Sequence, residues 1–497
     1  MSNLSELLPA GAGGKNVSFV ASGTLPNGQA VVLKADGTVE AVVQTSVAES
    51  IPAGAQSTFN AAISSFIQVA FDPSTSGKFV VAYRGANGGA TPEYGFVAAG
   101  TVSGTSISFG TPVVFSSAGT TQIVLAYNPD SAGKFVVAYD AGSVAKTIVG
   151  TVSGTSITVG SEYAATSTWG GYKGISFIPN TPHKFILSFL KGSAGDGTIV
   201  IGTVSGTSIS YGSESVFHSG AARWTAVDFN PNAVNTFVVG YYDAANSDYG
   251  TCAVGTISGT SISYGSHYVF NTAGSKIYSI DFDHAAGNKF VVTYEDAGNS
   301  AYGTAIVGTV SGTAISYGSE YVFNSGATKY PILQFDPNTL GKFVIGYIDD
   351  GNSAPVKVIV GSISGTALSY GSPISIGSNG SNYVSVDFNK AQAGQFVVAY
   401  RNPDGGHNGA ARLGQIAASP TNLTATNFIG ITDSAISSGA AGKATIKGGI
   451  KTGLSSLTPN AIYYLQTDGT ITTASASPAV RIGKALSSTS INLEYNS

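Results

Sequence analysis

The sequence contains few cysteines, few charged residues and no long apolar segment. Among 497 residues there is a single cysteine, Cys252, which excludes a disulfide framework and a Cys-based zinc site. Charged residues are only 10% and the formal net charge is −4, whereas binding a phosphate backbone needs clustered Lys and Arg. No apolar run approaches the roughly 18–20 residues of a membrane-spanning helix. We therefore predict neither nucleic-acid binding nor membrane insertion.

The start of the chain also lacks the pattern of an export signal. The first nine residues have no basic region and no long apolar stretch, so we expect no secretory signal. The remaining composition, with 65 Gly and many Ser, Thr and Asn, predicts a neutral polar surface over Val-, Phe- and Tyr-rich strands. Such a surface without an export signal fits a particle that is assembled inside a cell and released by lysis.

One phrase is repeated along most of the chain. Gly-Thr-Val-Ser-Gly-Thr-Ser-Ile-Ser-Phe-Gly begins at Gly100, and its copies follow at steps of 50, 52, 53, 53 and 53 residues. One further step of 53 reaches Gly414, where only the glycine is kept. A fixed period of this size indicates one supersecondary unit repeated many times. The copies begin at Gly150, Gly202, Gly255, Gly308 and Gly361.

A pair of aromatic residues eight positions apart accompanies the phrase and occurs seven times. An apolar residue two positions before the first aromatic predicts a strand, and the Asp-Pro or Asn-Pro that often follows predicts a turn. Each unit divides into four short strands, which is the size of a β-propeller blade. We assign the phrase glycines to turns and strand ends, because no helical pattern or Lys-Ser/Thr follows them as a phosphate loop requires. The pairs are Phe71/Phe79, Tyr127/Phe135, Phe177/Phe185, Phe229/Phe237, Phe282/Phe290, Phe335/Phe343 and Phe388/Phe396.

The two ends of the repeat array predict how it closes. Ser50–Asn60 aligns without a gap with Ser261–Asn271, a fourth strand. The last unit, Tyr383–Ser419, has three strands and then meets Pro420. We infer that Ser50–Asn60 supplies the missing outer strand, which removes an open sheet edge. The prediction is an all-β, seven-bladed β-propeller of four-stranded blades, spanning residues 50–419.

The flanks, residues 1–49 and 420–497, are also predicted to be β-rich. Asp-Gly between apolar runs predicts hairpins at Val31–Val39 and at Tyr463–Ile471. Ile482–Tyr495 has the pattern of one more strand pair. Because both flanks leave the ring at the same blade, we predict that they form one small module, discontinuous in sequence, through which the protein self-associates.

The repeat phrase, Lys-Phe-Val-Val-Ala-Tyr and the flanking stretches Phe19–Gln29 and Leu457–Thr470 carry a family resemblance. They resemble repeat-containing virion structural proteins (tail fibre, head fibre or decoration type) of tailed, particularly marine, bacteriophages. The resemblance implies a protein made in the host cytoplasm and placed on the virion surface, with the terminal module bound to other virion proteins. It implies no catalytic residues.

The position five residues before the first aromatic of each pair is the most specific candidate site. Five of its seven residues are aromatic, and the period places all seven at one end of the first strands. Such a collar suits stacking against sugar rings of a host surface, whereas the alternative is that the aromatics pack neighbouring blades together. We expect exposed contacts above all at Trp224, beside Arg223, and at Trp169. The collar members are Phe66, Tyr172, Trp224, Tyr330 and Tyr383, with Gln122 and Ile277 at the other two positions.

Acidic and histidine side chains offer weaker candidates. Loop acids between the second and third strands either ligate calcium or form Asx turns, and no metal or cofactor is predicted. Acids just before the first aromatic either hold an ion in the channel or accept hydrogen bonds within the strand. The five histidines are predicted to be solvated loop residues. The loop acids are Asp243, Asp248, Glu295, Asp296, Asp349 and Asp350; the strand acids are Asp228, Asp281 and Asp387; the histidines are His183, His218, His267, His284 and His407.

Three functional hypotheses follow. The first is a non-enzymatic virion surface protein that displays its propeller outward and contacts host-surface glycans. The second is a lectin-like receptor-binding module, which requires an exposed collar. The third is a propeller hydrolase of surface polysaccharide, which requires two carboxylates roughly 5–9 Å apart in one pocket. The first requires the fewest unobserved facts, and we therefore expect no enzymatic activity.

Overall fold

Strands account for nearly all of the regular structure, as the Val, Ile, Phe and Tyr pattern predicts. Apart from strands, the described residues contain three short 3-10 helices, Ala297–Asn299, Asp350–Asn352 and Pro403–Gly405, and no helix that could cross a membrane. The prediction of an all-β repeat fold is confirmed. The computed structural model describes residues 16–43, 55–87, 90–142, 144–168, 170–284, 287–377, 380–416, 422–467, 469–473 and 479–494, without the side chains of residues 87, 90–92 and 172.

The chain divides into two units, each described by itself: Glu49–Ala417, and the two ends Met1–Ala48 and Ala418–Ser497. Within the described part of the first, three antiparallel strands recur seven times, in β-propeller-like sheets. We number these repeats 1 to 7. The first strands are Ser57–Phe71, Thr120–Tyr127, Gly170–Phe177, Ser215–Phe229, Ser261–Phe282, Ala314–Phe335 and Val384–Phe388. The second strands are Lys78–Asn87, Lys134–Ala141, Lys184–Lys191, Thr236–Asp243, Lys289–Asp296, Lys342–Asp349 and Gln395–Asn402. The third strands are Ala90–Ser103, Val144–Ser153, Asp196–Ser205, Tyr249–Ser258, Tyr302–Ser311, Val356–Ser364 and Asn408–Gln415.

Fourth strands pair with the third strands at the outer edge. In four places one continuous strand pairs as a fourth strand at its start and as a first strand at its end, which is why Ser57–Phe71, Ser215–Phe229, Ser261–Phe282 and Ala314–Phe335 are so long. Elsewhere the fourth strand is separate. The separate segments are Ser106–Phe109, Val113–Ser116, Ser156–Val159, Tyr163–Ala164, Ser208–Tyr211, Ala367–Tyr370 and Ile374–Ser375.

The aromatic pairs lie at the centre of each repeat. In all seven repeats the two rings of the pair contact one another across the first and second strands, with ring centroids 5.2–5.8 Å apart. The second ring of each pair is fully buried. The step of eight residues is therefore the length of the hairpin that brings the two rings together.

The first glycine of the repeat phrase has a different role from the predicted one. Gly255 lies inside a third strand, directly opposite Phe237. A Cβ on Gly255 would lie 2.1 Å from the Phe237 ring, and the same close approach occurs at the equivalent glycine of every repeat. The assignment to turns and strand ends is wrong for this glycine. It holds for the second glycine of the phrase, such as Gly259, which has φ +64° at a turn.

The described start of the repeat unit pairs with its last third strand. Asn60 lies opposite Gly409 of repeat 7. Asn271 lies opposite Gly250 in the same register within repeat 4. Residues 50–54 of the predicted closing strand lie outside the described residues.

Side-chain contacts at this pairing match those inside other repeats. The hydroxyl of Tyr400, buried in repeat 7, donates to Oε1 of Gln56 at 2.8 Å. In repeat 5 the equivalent hydroxyl, of Tyr294, donates to Oε1 of Glu320 at 2.7 Å. Strand 57–71 thus meets repeat 7 as a fourth strand meets its own repeat.

The terminal unit contains two five-stranded sheets. Strands from both ends of the chain share one sheet, in which Asn16–Val20 pairs with Ala441–Thr445 and Ala30–Leu33 pairs with Phe428–Thr432. Both predicted hairpins and the final strand pair are present, although Asp468 and residues 495–497 lie outside the described residues. One sheet comprises Asn16–Val20, Ala441–Thr445, Phe428–Thr432, Ala30–Leu33 and Val39–Ala41; the other comprises Ile450–Thr452, Ser490–Leu493, Val480–Ser487, Ile462–Leu465 and Ile471–Thr472.

Candidate functional site

The first strands of all seven repeats line one cavity of about 1080 Å³. Every described collar position contributes to its lining: Phe66, Gln122, Trp224, Ile277, Tyr330 and Tyr383. The side chain of Tyr172 lies outside the described residues. The repeat thus brings together, at one end of one cavity, residues that are about 50 positions apart in the sequence.

A bulge in the first strand sets the collar residues apart from ordinary strand residues. At Phe66, Gln122, Trp224 and Tyr330 the backbone has φ of +46° to +53°, and the pairing with the second strand shifts there. A bulky residue with positive φ is an outlier, and such strain costs on the order of 1–3 kcal/mol. Bulges of this kind re-aim a side chain and are common beside binding sites.

Four rings from consecutive repeats form a continuous row, which we call the aromatic arc: Tyr278, Tyr330, Tyr383 and Phe66. Successive ring centroids are 5.4, 5.3 and 5.1 Å apart. All four side chains are half-buried and line the cavity. Burial raises the pKa of Tyr330 to about 12. The rings pack repeats against one another, as the packing interpretation predicts, yet each keeps exposed surface, as binding would require.

Trp224 lies outside the arc with its own neighbours. Its ring contacts that of Tyr242, with centroids 5.1 Å apart, and Nζ of Lys276 lies 5.7 Å from the Trp224 ring centroid. The side chain is half-buried, and the neighbouring Arg223 is exposed. Trp169 lies outside the described residues. The structure therefore places an aromatic ring with an adjacent cation on a second side of the cavity.

Repeat 5 departs from the collar position by one residue, which sequence reasoning missed. Ile277 has a negative φ and is 1% exposed. Its strand has the extra residue at Tyr278 instead, and Tyr278 lines the cavity together with Ile277. A β-branched side chain is poorly tolerated at positive φ, so an isoleucine at the collar position displaces the bulge. Tyr278, next to Ile277, was the sequence feature that could have indicated this shift.

Opposite the arc the wall carries a buried ion pair. Lys173, whose side chain is 0% exposed, bonds to Asp140 of the preceding repeat. Burial lowers the pKa of Lys173 to about 8 and raises that of Asp140. Asp140 lies opposite Thr121, the neighbour of Gln122, so Lys173 and Gln122 add polar groups to the lining of the cavity.

The three strand acids connect neighbouring repeats. Asp387 accepts from Phe71 N at 2.6 Å, and Asp281 accepts from Phe335 N at 2.6 Å. Asp228 accepts from the backbone N–H of Phe282 in repeat 5 and from the hydroxyl of Ser176 in repeat 3. Burial raises the pKa of all three, to about 6 for Asp387. The hydrogen-bonded alternative is confirmed for these acids, and the bond from Phe71 joins repeat 7 to repeat 1.

The loop acids resolve into turns and ion pairs. Asp243 and Asp296 each accept a hydrogen bond from the backbone N–H two residues later, as in Asx turns. No cluster of three or more His, Cys, Asp or Glu side chains suited to a metal occurs in the described ranges. Three of the other four acids pair with lysines: Glu295 with Lys276 at 2.7 Å, Asp349 with Lys357 at 2.7 Å and Asp350 with Lys329 at 2.8 Å.

The prediction of solvated loop histidines is wrong for two of the five. His218 and His267 lie on strands, with ring centroids 5.7 Å apart around the buried Tyr241. The Tyr241 oxygen is 2.7 Å from Nδ1 of His267 and 3.3 Å from Nδ1 of His218, whose Nε2 faces Asp243 at 3.1 Å. Burial lowers the pKa of His267. Strand pairing across adjacent repeats brings them together, which spacing in the sequence did not indicate.

No family model matches the sequence, and no curated protein matches it. Among solved structures, the chain is similar to the BP39L lectin from Burkholderia pseudomallei, with a TM-score of 0.54, 11% identity and coverage of 73% of this chain and 98% of the lectin. Sqt1 from Chaetomium thermophilum gives a TM-score of 0.44 at 13% identity, covering 70% and 83%. A mutant of AofleA from Arthrobotrys oligospora gives 0.41 at 11%, covering 65% and 90%. At such identities the likeness to the lectin concerns the fold alone.

Proposed function

We propose that the seven repeats form a closed, seven-bladed propeller with a central cavity. The end of the cavity that the collar positions line, which we call the mouth, binds carbohydrate. Closure is supported by the pairing of Asn60 with Gly409 and by the hydrogen bond from Phe71 to Asp387. It is also supported by the single cavity that all seven first strands line. A closed ring leaves no repeat with an unpaired edge.

The aromatic arc is the observation that carries the binding proposal. Flat, rigid rings offer apolar surface to the faces of sugars, and neighbouring hydroxyls and amides offer hydrogen bonds. The backbone strain at Phe66 and Tyr330 supports the same conclusion, because strained positions cluster at ligand-binding sites. According to this proposal, the protein is a lectin-like module.

Glycan-array binding of the full-length protein tests this function. We expect binding that Tyr330→Ala reduces at least about tenfold, since stacked rings contribute roughly 0.5–1.5 kcal/mol beyond the area they bury. Tyr464→Ala, at a half-buried tyrosine of the terminal unit, is the matched control. Trp224→Ala separates the second aromatic position from the arc. Absence of binding across a broad array, or equal loss in Tyr330→Ala and Tyr464→Ala, would rule the mouth out as a sugar site.

We propose a role without catalysis, and the contacts of the strand acids support it. Burial, and after it the nearby charge of Asp228, raises the pKa of Asp281. Asp228 and Asp281 each accept a backbone N–H of the next repeat. These acids therefore serve the ring, and we propose a binding protein in preference to a polysaccharide hydrolase.

The place of action that we propose is the virion surface, on the strength of the sequence resemblance. The terminal unit would bind other virion proteins and self-associate, and the propeller would face the host. Deleting residues 1–49 and 420–497 should leave a propeller that binds glycans and no longer joins particles. Incorporation of the truncated ring into particles would contradict the anchoring role. Mass spectrometry of purified particles tests the localisation directly.

A further inference from the structure

Three buried polar atoms lie in and beside the loop between the second and third strands of repeat 7. They are Nε of Arg401, Nδ1 of His407 and Oδ1 of Asn408, none of which has a hydrogen-bond partner in the part of the chain that the structure describes. Arg401 lies opposite Gly409, one position along the ladder from Asn408, so the loop holds them close together. Buried polar groups are nearly always paired, and exceptions call for an explanation such as a bound molecule.

The loop adjoins one end of the aromatic arc. The backbone N–H of Arg401 donates to the carbonyl of Tyr383 at 3.1 Å. The guanidinium carbon of Arg84 lies 5.0 Å from the centroid of the Phe66 ring. Burial raises the pKa of Tyr383, and the positive charges of Arg84 and Arg401 oppose that rise. Two cations therefore flank the Tyr383–Phe66 end of the arc.

One of these cations has no ion pair among the residues that the structure describes. Nε of Arg84 is 2.6 Å from Oε2 of Glu93. The lysines along the arc are also paired, Lys276 with Glu295 and Lys329 with Asp350. Arg401 forms no ion pair with any described residue. One positive charge without an ion pair among the described residues therefore lies near the rings of Tyr383 and Phe66.

We propose that the Tyr383–Phe66 end of the arc is a subsite for sugars that carry a carboxylate. Guanidinium binds carboxylate through two parallel hydrogen bonds. The rings of Tyr383 and Phe66 take the apolar face of the same sugar. This inference rests on the proposed function, because it names the class of sugar that the mouth binds.

An array of sialylated and uronate oligosaccharides, each paired with its methyl ester, tests the subsite in the full-length protein. The ester keeps the shape of the sugar and removes its charge. We expect the acids to bind more tightly by on the order of tenfold, the value of a hydrogen bond to a charged group. Raising the salt concentration should weaken binding of the acids and leave the esters unchanged.

Substitutions test whether Arg401 causes the tighter binding of the acidic sugars. Arg401→Gln should reduce binding of the acids to the level of the esters. Arg223→Gln is the matched control, because it removes the same charge from an exposed arginine beside Trp224. Arg401→Lys keeps the charge without the planar fork and should bind with intermediate affinity, so it decides the outcome if Arg401→Gln does not fold.

The outcomes separate this inference from the proposed function. Equal binding of acids and esters, or equal loss of acid binding in Arg401→Gln and Arg223→Gln, overturns the acidic-sugar subsite. Neutral glycans would in that case still bind through the arc. Loss of all glycan binding in the unaltered protein would overturn both.

Discussion

The two ends of the first strands follow opposite rules. At one end stand the aromatic pairs, which are nearly the same residues in all seven repeats and make the same ring contact each time. At the other end stands the collar position, occupied by Phe, Gln, Tyr, Trp, Ile, Tyr and Tyr. One end is uniform and fully packed, and the other is varied and half-exposed.

Packing explains the difference. The second ring of each pair has a glycine of the third strand against its face, a neighbouring ring on another side and no solvent. Such a contact fits only an aromatic ring opposite a glycine, so the same residue types recur in every repeat. The collar borders the cavity, where side chains of different size and polarity are accommodated. Variation between repeats therefore marks the surface available for binding.

The largest predicted effect compares one ring from each end. Phe290→Ala should lower the free energy of unfolding by about 3–5 kcal/mol, because it empties a fully buried site that the Gly308 backbone approaches closely. Phe66→Ala removes a half-buried ring from a strained position and should cost clearly less. Urea unfolding of both variants measures the difference. Equal losses would mean that the collar is core as much as the pairs are.

A pair of glycines from one phrase gives a smaller effect. Gly255→Ala places a Cβ where the Phe237 ring lies and should destabilise by about 1–3 kcal/mol, as overpacking does. Gly259→Ala meets no atom within 4 Å, and its cost comes only from the positive φ, about 1 kcal/mol. Thermal unfolding of the two variants should rank them in this order, and the reverse order would contradict the ring-on-glycine contact.

The sequence predicted the uniform end far better than the varied end. A strand period and a hairpin length are local, so the pairs at Phe71/Phe79 and its equivalents were evident. The contact of Gly255 with Phe237 joins different strands, and the shift from Ile277 to Tyr278 depends on where a bulge forms. Arg401 has no counterpart in most repeats, so nothing in the period indicated it.

The smallest predicted effect concerns the junction of repeats 7 and 1. Asp387→Asn weakens the hydrogen bonds that Asp387 accepts from Phe71 and Phe388, a loss of about 0.5–1.5 kcal/mol. Burial raises the pKa of Asp387 from 3.8 to about 6, so the folded protein keeps this proton where the unfolded chain has lost it. The contribution of the protonated carboxyl to stability is complete below about pH 4 and is lost as the pH rises through about 6.

The Asp387→Asn variant has no carboxyl group to titrate at this position, so it does not lose this stability as the pH rises. The destabilisation caused by Asp387→Asn should therefore be larger at pH 4 than at pH 7, measured by urea unfolding at both values. Asp404→Asn, at an exposed loop residue, controls for general effects of pH. A destabilisation that grows from pH 4 to pH 7 would mean that Asp387 is charged in the folded protein. In that case the backbone N–H of Phe71 would donate to a carboxylate. The junction of repeats 7 and 1 would then be more stable at pH 7 than a protonated Asp387 allows.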